Sequence, residues 1–564
     1  MSILDKASLI QIPSGYKSTK LYSIEPTNGD GDFTFARSSS GTRVNSEGLI
    51  EVASVLGSEL VVNGDFATDS DWSSTEVATI GISGGSINFS STSSNKRIQN
   101  IGSIIVGKKY IVNYDIVSIS EGSFAFQDGV STYTYRSSIG SYSEEITASG
   151  TFIRIRTAGT TTGSIDNVSV KEVITNNVPR LDYSGGASCA SLLLEPQRTN
   201  LALYSEQFEN AAWSNEGLSL SANDTTSPDG ATNADKIIET ADNGVHVIYN
   251  TSPITASATS TASVFYKKGT RRYFSVKIQI GSNSYTQVFD SEGLTTGGNS
   301  SNGLTNVSTK IEDYGNGWVR ASVAGTSASG TSTYVIIGLS NSLNPTFHPT
   351  NYNPTYEGSG TDYGYAYGAQ VEAGSYPTSY IPTTSATVTR TADVCNNAGT
   401  SATFNSTEGV LFAEIAALAN DSTQRAISLS DGSNTNRVCL LYNDSSNSIR
   451  LFVQVGGSTQ SSIISTSYTI TDSNKIAVKW KENDFALWIN GVEVGTDNSG
   501  VSFTSNTLNT LDFRFPNDTT FFYGKTKQLM VFNEALSDEE LSDLTGQANL
   551  SFNNLATFYN YTIL

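Results

Sequence analysis

Cysteine and histidine are almost missing from this chain. Its 564 residues include three cysteines and two histidines. Cys189, Cys395 and Cys439 lie far apart, form no CxxC motif and, being odd in number, cannot all pair within one chain. His246 and His348 stand in unrelated surroundings, so no His/Cys cluster has the spacing of a zinc site. We therefore expect the cysteines to be small buried residues and expect no zinc centre.

Charge is scarce and mostly negative. Charged residues make up 15% of the chain, against a usual ~25%, and the formal net charge is −20. Because a negative surface repels phosphate, this balance disfavours nucleic-acid partners and anionic membrane surfaces. No apolar run approaches ~18 residues, so no transmembrane helix is expected. The N-terminal segment lacks a sustained apolar core and a small-residue cleavage site, which argues against a secretory signal and for synthesis in a cytoplasm.

Aromatic residues and glycine are abundant. The chain has 27 tyrosines, 24 phenylalanines and 49 glycines, which supply cores and tight turns for short strands. Apolar residues recur at alternate positions over Tyr110–Ile116 and Tyr273–Ile280, the pattern of strands with one buried face. An Asn-Gly pair at 490–491 predicts a hairpin turn, and Ser537 with Glu540 predicts the capping box of one helix. The sequence thus predicts an all-β protein of tandem antiparallel β-sandwiches with a small N-terminal module.

The length indicates several domains. At ~150 residues per domain, 564 residues correspond to three or four. The apolar segments before residue 57 are too small to build a large core alone, and residues 177–196 are their expected partner. The predicted boundaries are 1–57 for an N-terminal anchoring module completed by 174–200, 58–173 for an inserted sandwich, 201–395 for a second sandwich, 396–547 for a third unit, and 548–564 for a C-terminal tail.

The stretch Leu192–Trp213 joins two of these units. It begins as a short apolar strand that Pro196 ends, because proline has no N–H to give to a ladder. A polar step with Glu195 and Arg198 follows, and a new apolar unit then begins. We interpret Glu195 and Arg198 as a structural seam that sets the angle between the N-terminal module and the second sandwich. The alternative is an ordinary interdomain linker, which is usually poorer in large apolar residues.

Four stretches resemble those of tailed-phage virion proteins. They are GTRVNSEGLIE (41–51), NVPRLDY (177–183), LLLEPQRTNLALYSEQFENAAW (192–213) and GAQVEAGSYPTSYIPTTSATVTRTAD (368–393). In such proteins an N-terminal piece of this kind precedes a jelly-roll domain similar to carbohydrate-binding modules. The resemblance covers residues 20–57 and 174–395 and implies a virion protein without saying which part of the particle it forms.

Two further resemblances concern the sandwiches. NGDFATDSDW (63–72) and IDNVSV (165–170) resemble the first and last strands of jelly-roll carbohydrate-binding modules. WINGVEVG (488–495) and GKTKQLMVFNEALSDEELSDL (524–544) resemble a concanavalin-like or laminin-G-like domain. These resemblances imply jelly rolls for the first two sandwiches and a concanavalin-like sandwich for the third unit.

Jelly-roll modules of this type often hold a structural calcium between their opening and closing strands. Asp65 and Asp166 resemble the residues at those places, and two carboxylates with backbone carbonyls could supply the oxygen ligands. The alternative is that both aspartates simply serve turns. The second sandwich has Gln207 and Ala369 at the corresponding positions, so the resemblance does not transfer these ligands to it.

A tyrosine-rich stretch marks a candidate glycan site. The tyrosines are Tyr352, Tyr356, Tyr363, Tyr365 and Tyr367, and glycines lie among them. Glycans stack on exposed aromatic faces, while nearby amides and carboxylates hydrogen-bond to their hydroxyl groups. The alternatives are a subunit contact or edge packing of the sandwich.

No catalytic residues are predicted. Two isolated histidines make a Ser–His–acid triad a poor expectation, and among 53 acidic residues no glycosidase pair stands out. The leading hypothesis is a non-enzymatic structural protein of the virion surface: a head-fibre, decoration or tail-fibre subunit that attaches to other virion proteins by its N-terminal module. It would act as a homo-oligomer and bind host or environmental glycans. The alternative is a polysaccharide-degrading tailspike or a glycosidase accessory module.

Overall fold

The fold is all-β, as the alternating patterns predict. The computed structural model describes residues 3–74, 79–93, 97–100, 104–128, 130–251, 254–255, 258–328, 330, 332–516 and 520–546. Its strands pair antiparallel into several sheets that enclose apolar cores. Two compact units are present, one formed by Ser54–Thr175 and the other by the two segments that flank it. The predicted tail, 548–564, lies outside the described residues.

The Ser54–Thr175 unit is one eight-stranded sheet that wraps around a single core. Its two longest strands, Lys109–Gln127 and Arg154–Ile174, pair with four register shifts. Such irregularities bend the strands and increase their twist, which lets one sheet close over its own apolar face. The remaining strands are Val55–Glu59, Trp72–Ser74, Ile80–Ser83, Ser86–Thr92, Arg97–Asn100 and Gly140–Thr147.

Residues 213–373 form a second sandwich, which we call the central sandwich. Its seven-stranded sheet comprises Trp213–Glu216, Val247–Asn250, Ile254–Thr255, Tyr273–Ile280, Asn283–Asp290, Thr295–Asn302 and Ser332–Ser340. Its six-stranded sheet comprises Leu218–Thr226, Thr232–Glu239, Thr259–Lys268, Thr305–Asp313, Trp318–Thr326 and Tyr363–Ala373. Every second residue from Phe274 to Ile280 is 0% exposed, which confirms the predicted strand.

The third sandwich, called here the C-terminal sandwich, packs an eight-stranded sheet on a five-stranded one. The larger sheet comprises Ala7–Gln11, Leu181–Asp182, Ser191–Leu194, Glu408–Ala417, Asn474–Lys481, Phe485–Ile489, Val492–Asp497 and Gly524–Phe532. The smaller sheet comprises Arg425–Ser430, Arg437–Tyr442, Ile449–Val455, Ser458–Ser465 and Thr510–Asp512.

Short strands and two helices complete the part of the chain that the structure describes. A four-stranded sheet contains Tyr16–Lys17, Lys20–Leu21, Phe33–Ala36 and Val394–Asn396. Two-stranded pairs join Thr42–Val44 to Ile50–Val52, Arg198–Asn200 to Val388–Arg390, and Asn243–Gly244 to Tyr356–Glu357. The helices are the 3-10 turn Ile3–Lys6 and the α-helix Asp538–Gly546.

The N-terminal segment is part of the C-terminal sandwich and not a module of its own. The strand Gly524–Phe532 pairs with Ala7–Gln11 near one end and with Ser191–Leu194 near the other. Leu9 and Leu192, both 0% exposed, join the same core as the strands from residues 408 onward. An open sheet edge needs partners for its N–H and C=O groups, and the N-terminal pieces supply them here. The predicted anchoring module therefore has no core separate from that of the third unit.

Local signals in the sequence are realised in the structure. The Ser537 N–H donates to Glu540 at 2.9 Å, and the Glu540 N–H donates back to the Ser537 hydroxyl at 3.3 Å, so the predicted capping box is confirmed. Asn490 and Gly491 have φ of 50° and 84°, as a hairpin turn of this type requires. No helix within the described ranges is long and apolar enough to cross a membrane.

Asp235 fixes the start of the central sandwich. Its carboxylate is buried and accepts the backbone N–H groups of Phe208 at 2.8 Å and Asn223 at 3.0 Å. Burial raises the pKa of Asp235 to about 7, and the neighbouring Glu209 carboxylate acts in the same direction. The pKa of Asp235 in the folded protein lies above its ordinary value of 3.8. The group therefore contributes its full stabilisation below pH 3.8, and this stabilisation is lost as the pH rises through about 7.

We predict that Glu209→Gln lowers the pKa of Asp235, because it removes the like charge beside it. The variant should therefore gain thermal stability relative to the natural chain as the pH is raised from about 5 to about 8. Melting curves at both pH values measure this difference. Glu216→Gln, at another exposed glutamate of the same sandwich, serves as the control. An equal stability difference at the two pH values would contradict the prediction.

Candidate functional site

Glu195 lies in a buried polar network. The Arg180 guanidinium donates to its carboxylate at 2.5 Å, and the Arg390 guanidinium lies 3.0 Å away. The backbone N–H and the hydroxyl of Ser379 also donate to it, each at 2.7 Å. All the oxygen acceptors of this side chain are thus engaged far from solvent, as a buried charge requires.

Asp393 is the second anion of the network. It accepts bonds from the guanidiniums of Arg37, at 3.0 Å, and Arg180, and from the backbone N–H of Glu195 at 2.8 Å. The backbone N–H of Asp393 in turn donates to the carbonyl of Glu195 at 3.0 Å. Glu195 and Asp393, almost two hundred positions apart, are therefore hydrogen-bonded to each other through both main chain and side chain.

Three guanidiniums face these two carboxylates, and all five side chains are at most 2% exposed. Burial alone would raise the pKa of Glu195, but the charges of Arg390 and Arg180 outweigh it and hold that pKa well below its usual range. Burial lowers the pKa of Arg37 to about 10, which still leaves it charged at neutral pH. Glu195 and Arg37 are consequently both charged at neutral pH.

The four stretches that resemble phage virion proteins converge on this network. Arg180 also donates to the carbonyl of Thr42 at 3.2 Å, so the first stretch takes part through its main chain. Each stretch contributes at least one residue to the network. These residues are Thr42 (stretch 41–51), Arg180 (177–183), Glu195 (192–213), and Ser379, Arg390 and Asp393 (368–393). Segments that look unrelated along the chain thus share one structural role.

Arg198 lies apart from Glu195. Its guanidinium donates to the carbonyl of Gln197 at 3.0 Å and lies over the ring of Tyr376, 5.4 Å from the centroid. The side chains of Glu195 and Arg198, on either side of Pro196, therefore lie in different surroundings. The predicted seam thus contains Glu195 as described, but the cations that pair with it come from positions 180 and 390. Both cations lie in stretches that resemble phage virion proteins, and that was the sequence signal available for them.

Two of the five candidate tyrosines are buried. Tyr356, 7% exposed, donates its hydroxyl to Glu239 at 2.8 Å, and Tyr367 is 1% exposed. A buried ring offers no face to a sugar, so these two are removed from the predicted glycan site. The rings of Tyr363 and Tyr365 are partly exposed and 5.5 Å apart, and they are the members that the fold brings together on a surface. Tyr352 is partly exposed in the loop before them.

Tyr363 and Tyr365 share one face of the strand Tyr363–Ala373, because residues two apart point the same way. The Lys236 ammonium lies 4.0 Å from the centroid of the Tyr363 ring. The two rings are inclined at 80° and so point their faces in different directions, and Lys236 covers one face of the Tyr363 ring. A sugar ring can stack on one remaining aromatic face, with the ammonium as a nearby donor to its hydroxyl groups. The predicted platform is accordingly narrowed to this pair, and its ligand stays a prediction.

A pair of carboxyl groups that the sequence did not single out flanks Tyr367. Its hydroxyl lies 2.9 Å from Glu206 and 3.0 Å from Asp229. Because a hydroxyl has one proton, it can donate to one carboxylate, and the other must be protonated to bond with it. Burial raises the pKa of Glu206, whereas hydrogen bonds from Ser227 and the Ala231 N–H overcome burial and lower that of Asp229. The Tyr380 hydroxyl also donates to Glu206, at 3.0 Å, so the two carboxyl groups differ both in hydrogen-bond partners and in the direction of their pKa shifts.

Asp65 and Asp166 each serve local hydrogen bonds. The Ala67 N–H donates to Asp65 at 3.4 Å, and the Asn167 N–H donates to Asp166 at 2.6 Å. Within the described ranges no group of three or more His, Cys, Asp or Glu side chains is placed to hold a metal ion. These bonds are what the turn interpretation expects, and the structural calcium stays a prediction.

The match to a protein-family model concerns the last part of the chain. Residues 396–542 match the family model of the concanavalin A-like lectin/glucanases superfamily. This match confirms the concanavalin-like domain that the WINGVEVG and GKTKQLMVF stretches predict. Trp488 of the first stretch is 7% exposed and packs in the core with Leu541 of the helix, so it has a packing role there. No match to the chain was found among curated proteins.

Several solved structures share short or distant likenesses. A SAP-like pentraxin from Limulus polyphemus is 18% identical, with a TM-score of 0.22, over 24% of this chain and 69% of its own. The CBM22-1-CBM22-2 tandem domain of Paenibacillus barcinonensis Xyn10C is 10% identical, with a TM-score of 0.20, over 57% and 98%. Trypanosoma rangeli sialidase is 10% identical, with a TM-score of 0.21, over 92% and 99%. Likenesses at these scores carry no weight for the function of this chain.

We predict that Arg180→Met destabilises the fold by about 3–5 kcal/mol, because it leaves Glu195 and Asp393 buried with one cation fewer. Arg198→Met should cost less than about 1 kcal/mol, since Arg198 has no carboxylate partner in the network. Urea unfolding of both variants, followed by tryptophan fluorescence, measures the difference. Equal losses in the two variants would refute the role assigned to the network.

Proposed function

We propose that this protein is a non-enzymatic, glycan-binding component of a phage virion surface: a head-fibre, decoration or tail-fibre subunit. The observation that carries the glycan-binding part is the match of residues 396–542 to a superfamily that contains lectins. The virion part rests on the four stretches that resemble phage proteins and that meet in one buried network. Both parts fit an all-β chain built of β-sandwiches.

The buried ion pairs that connect the central and C-terminal sandwiches support this proposal. The network joins the N-terminal segment, the end of the central sandwich and the C-terminal sandwich through ion pairs at 2.5–3.0 Å. A subunit that projects from a particle must hold its binding surfaces in a fixed direction. Attachment through the N-terminal segment and assembly into a homo-oligomer would then multiply weak sugar contacts by avidity.

The surface pair Tyr363 and Tyr365 is the proposed sugar platform of the central sandwich. Replacing both by alanine should weaken binding to a host polysaccharide about tenfold, because two aromatic faces are lost. Surface plasmon resonance with immobilised polysaccharide measures the effect. Tyr249 and Tyr334, a partly exposed pair packed together on the other sheet, provide the matched double-alanine control. Unchanged binding in the Tyr363/Tyr365 variant would eliminate the platform.

The virion location requires its own test. Antibodies against the purified protein should label intact phage particles in negative-stain electron microscopy, and mass photometry should show an oligomer. A strictly monomeric protein that is absent from purified particles would overturn this part of the proposal while leaving glycan binding intact.

Glycoside hydrolysis is a second candidate, and one observation favours it. Glu206 and Asp229 are held on either side of a tyrosine hydroxyl with their pKa values moved in opposite directions, the division that an acid and a carboxylate require. If this pair were catalytic, incubation with host polysaccharide would release reducing ends, and Glu206→Gln would abolish the release. Absence of release by the natural chain would leave the pair with a structural role.

A further inference from the structure

A polar cleft of about 270 Å³ opens between the central and C-terminal sandwiches. Its walls come from the Thr42–Val44 strand and its hairpin, the strand Thr305–Asp313, residues 377–380 and the edge of the C-terminal sandwich. Four cationic and three acidic side chains line it, which leaves one net positive charge in a chain whose formal net charge is −20. A local excess of positive charge in so acidic a protein points to an anionic occupant.

Three of the four cations already have an anionic partner. The pairs are Arg43 with Glu51 at 2.8 Å, Lys310 with Glu312 at 2.7 Å, and Lys525 with Asp182 at 3.1 Å. Glu195, the remaining acid of the lining, is paired with Arg180 and Arg390 in the buried network. Arg320 is therefore the one lining cation that has no ion pair among the described residues.

Arg320 is a buried cation with neutral partners. It is 3% exposed, and its guanidinium donates to the Thr378 carbonyl at 2.7 Å and to the Ser263 hydroxyl at 3.0 Å. Its Nε–H is buried and has no acceptor among the described residues. The nearby Glu372 carboxylate receives both the N–H and the hydroxyl of Thr378. Burial disfavours this charge, but Tyr314, Glu372 and Glu312 outweigh that cost and raise the pKa of Arg320. None of the described carboxylates forms a direct ion pair with Arg320, so an anion in the cleft would supply one.

We propose that this cleft binds the carboxylate of an acidic sugar residue, with Arg320 as the anchoring cation. The proposal rests on the glycan-binding function proposed above and names the class of sugar. A guanidinium matches a carboxylate in shape and charge. The acidic side chains and Ser184 of the lining can hydrogen-bond to sugar hydroxyls, and Tyr314 offers a ring.

The same lining excludes other anions. A sulfated or phosphorylated polymer carries several charges, whereas Arg320 is the one lining cation that no ion pair engages. The volume, about 270 Å³, lies just below the roughly 300–1,000 Å³ of small-molecule sites. It therefore suits one sugar residue with a single charge more than a charged chain.

A ligand in the cleft would also contact a residue of the buried network around Glu195 and Asp393. Ser379 lines the cleft and donates to Glu195, so an occupant that touches Ser379 contacts both sandwiches through one residue. A ligand that binds the folded state alone raises the melting temperature. Thermal stability is thus a second readout beside the binding constant.

The test uses the full chain and pairs of free sugars. Calorimetry compares glucuronate with glucose, galacturonate with galactose, and N-acetylneuraminate with N-acetylmannosamine. At least one acidic sugar should bind about tenfold tighter than its neutral counterpart and should raise the melting temperature. If acidic and neutral sugars bind equally, the cleft proposal is wrong, although binding of any neutral glycan would still sustain the proposed function. If no sugar of either kind binds, both proposals lose support.

Variants locate the binding at the cleft. Arg320→Gln should abolish the preference for the acidic sugar, whereas Lys268→Ala, at an exposed lysine paired with Glu292 outside the cleft, should leave it unchanged. Because Arg320 is buried, its variant is first checked by circular dichroism. If it does not fold, Lys310→Ala carries the test at an exposed position and should weaken acidic-sugar binding about threefold. The assignment of the acidic-sugar site to this cleft would be wrong if a folded Arg320→Gln variant kept the full preference for the acidic sugar. If Arg320→Gln does not fold, the same result for Lys310→Ala would have the same meaning.

Discussion

A buried set of ion pairs around Glu195 and Asp393 constrains the arrangement of the two larger sandwiches. Removing such charges from water costs several kcal/mol per ion, which is recovered only when each charge meets a well-placed partner. These partners come from segments far apart in the chain. A shifted arrangement of the sandwiches would leave at least one charge buried and unpaired. The network therefore selects one geometry more than it adds stability.

The order of the chain imposes a second constraint. The Ser8 hydroxyl reaches Asn533 at 3.1 Å, across 525 positions, so the C-terminal sandwich closes only after nearly the whole chain is available. Contacts this distant in sequence slow folding, because the loop must close before they form. The Ser54–Thr175 unit avoids this difficulty, since Val55 is a strand partner of Ile174 and its two ends lie together. Such a unit can be inserted at one point of another domain.

Local patterns in the sequence predicted local structure well, and long-range partners poorly. The capping box at Ser537, the turn at 490–491 and the alternating strands each depend on neighbours within a few residues, and each is present. The pairing of Gly524–Phe532 with the N-terminal strand depends on which edge remains open, and no short pattern encodes that. Glu195 was singled out because it begins a polar step directly after an apolar strand, but the cations that pair with it could be found only in three dimensions.

The candidate tyrosines show that a local pattern does not predict which side chains of one strand are exposed. Tyr363, Tyr365 and Tyr367 were all candidates for the glycan site, and because they are two residues apart they point to one face of their strand. The strand does alternate, yet Tyr380 and Trp318 pack against Tyr367 and cover that end of the face. Periodicity identifies the face to which a side chain points, whereas exposure depends on what packs over it. The candidate glycan site therefore became smaller once the covering segments were known.

Selectivity for a charged sugar is compatible with the strong negative charge of the chain. At physiological salt the Debye length is about 8 Å, so most of the surface charge is screened from a ligand inside a cleft. What acts there is the local balance of Arg320 against the nearby carboxylates, in a partly dry environment where charges interact more strongly. The overall charge would instead slow the approach of long polyanions. The two effects together favour glycans in which acidic residues are sparse.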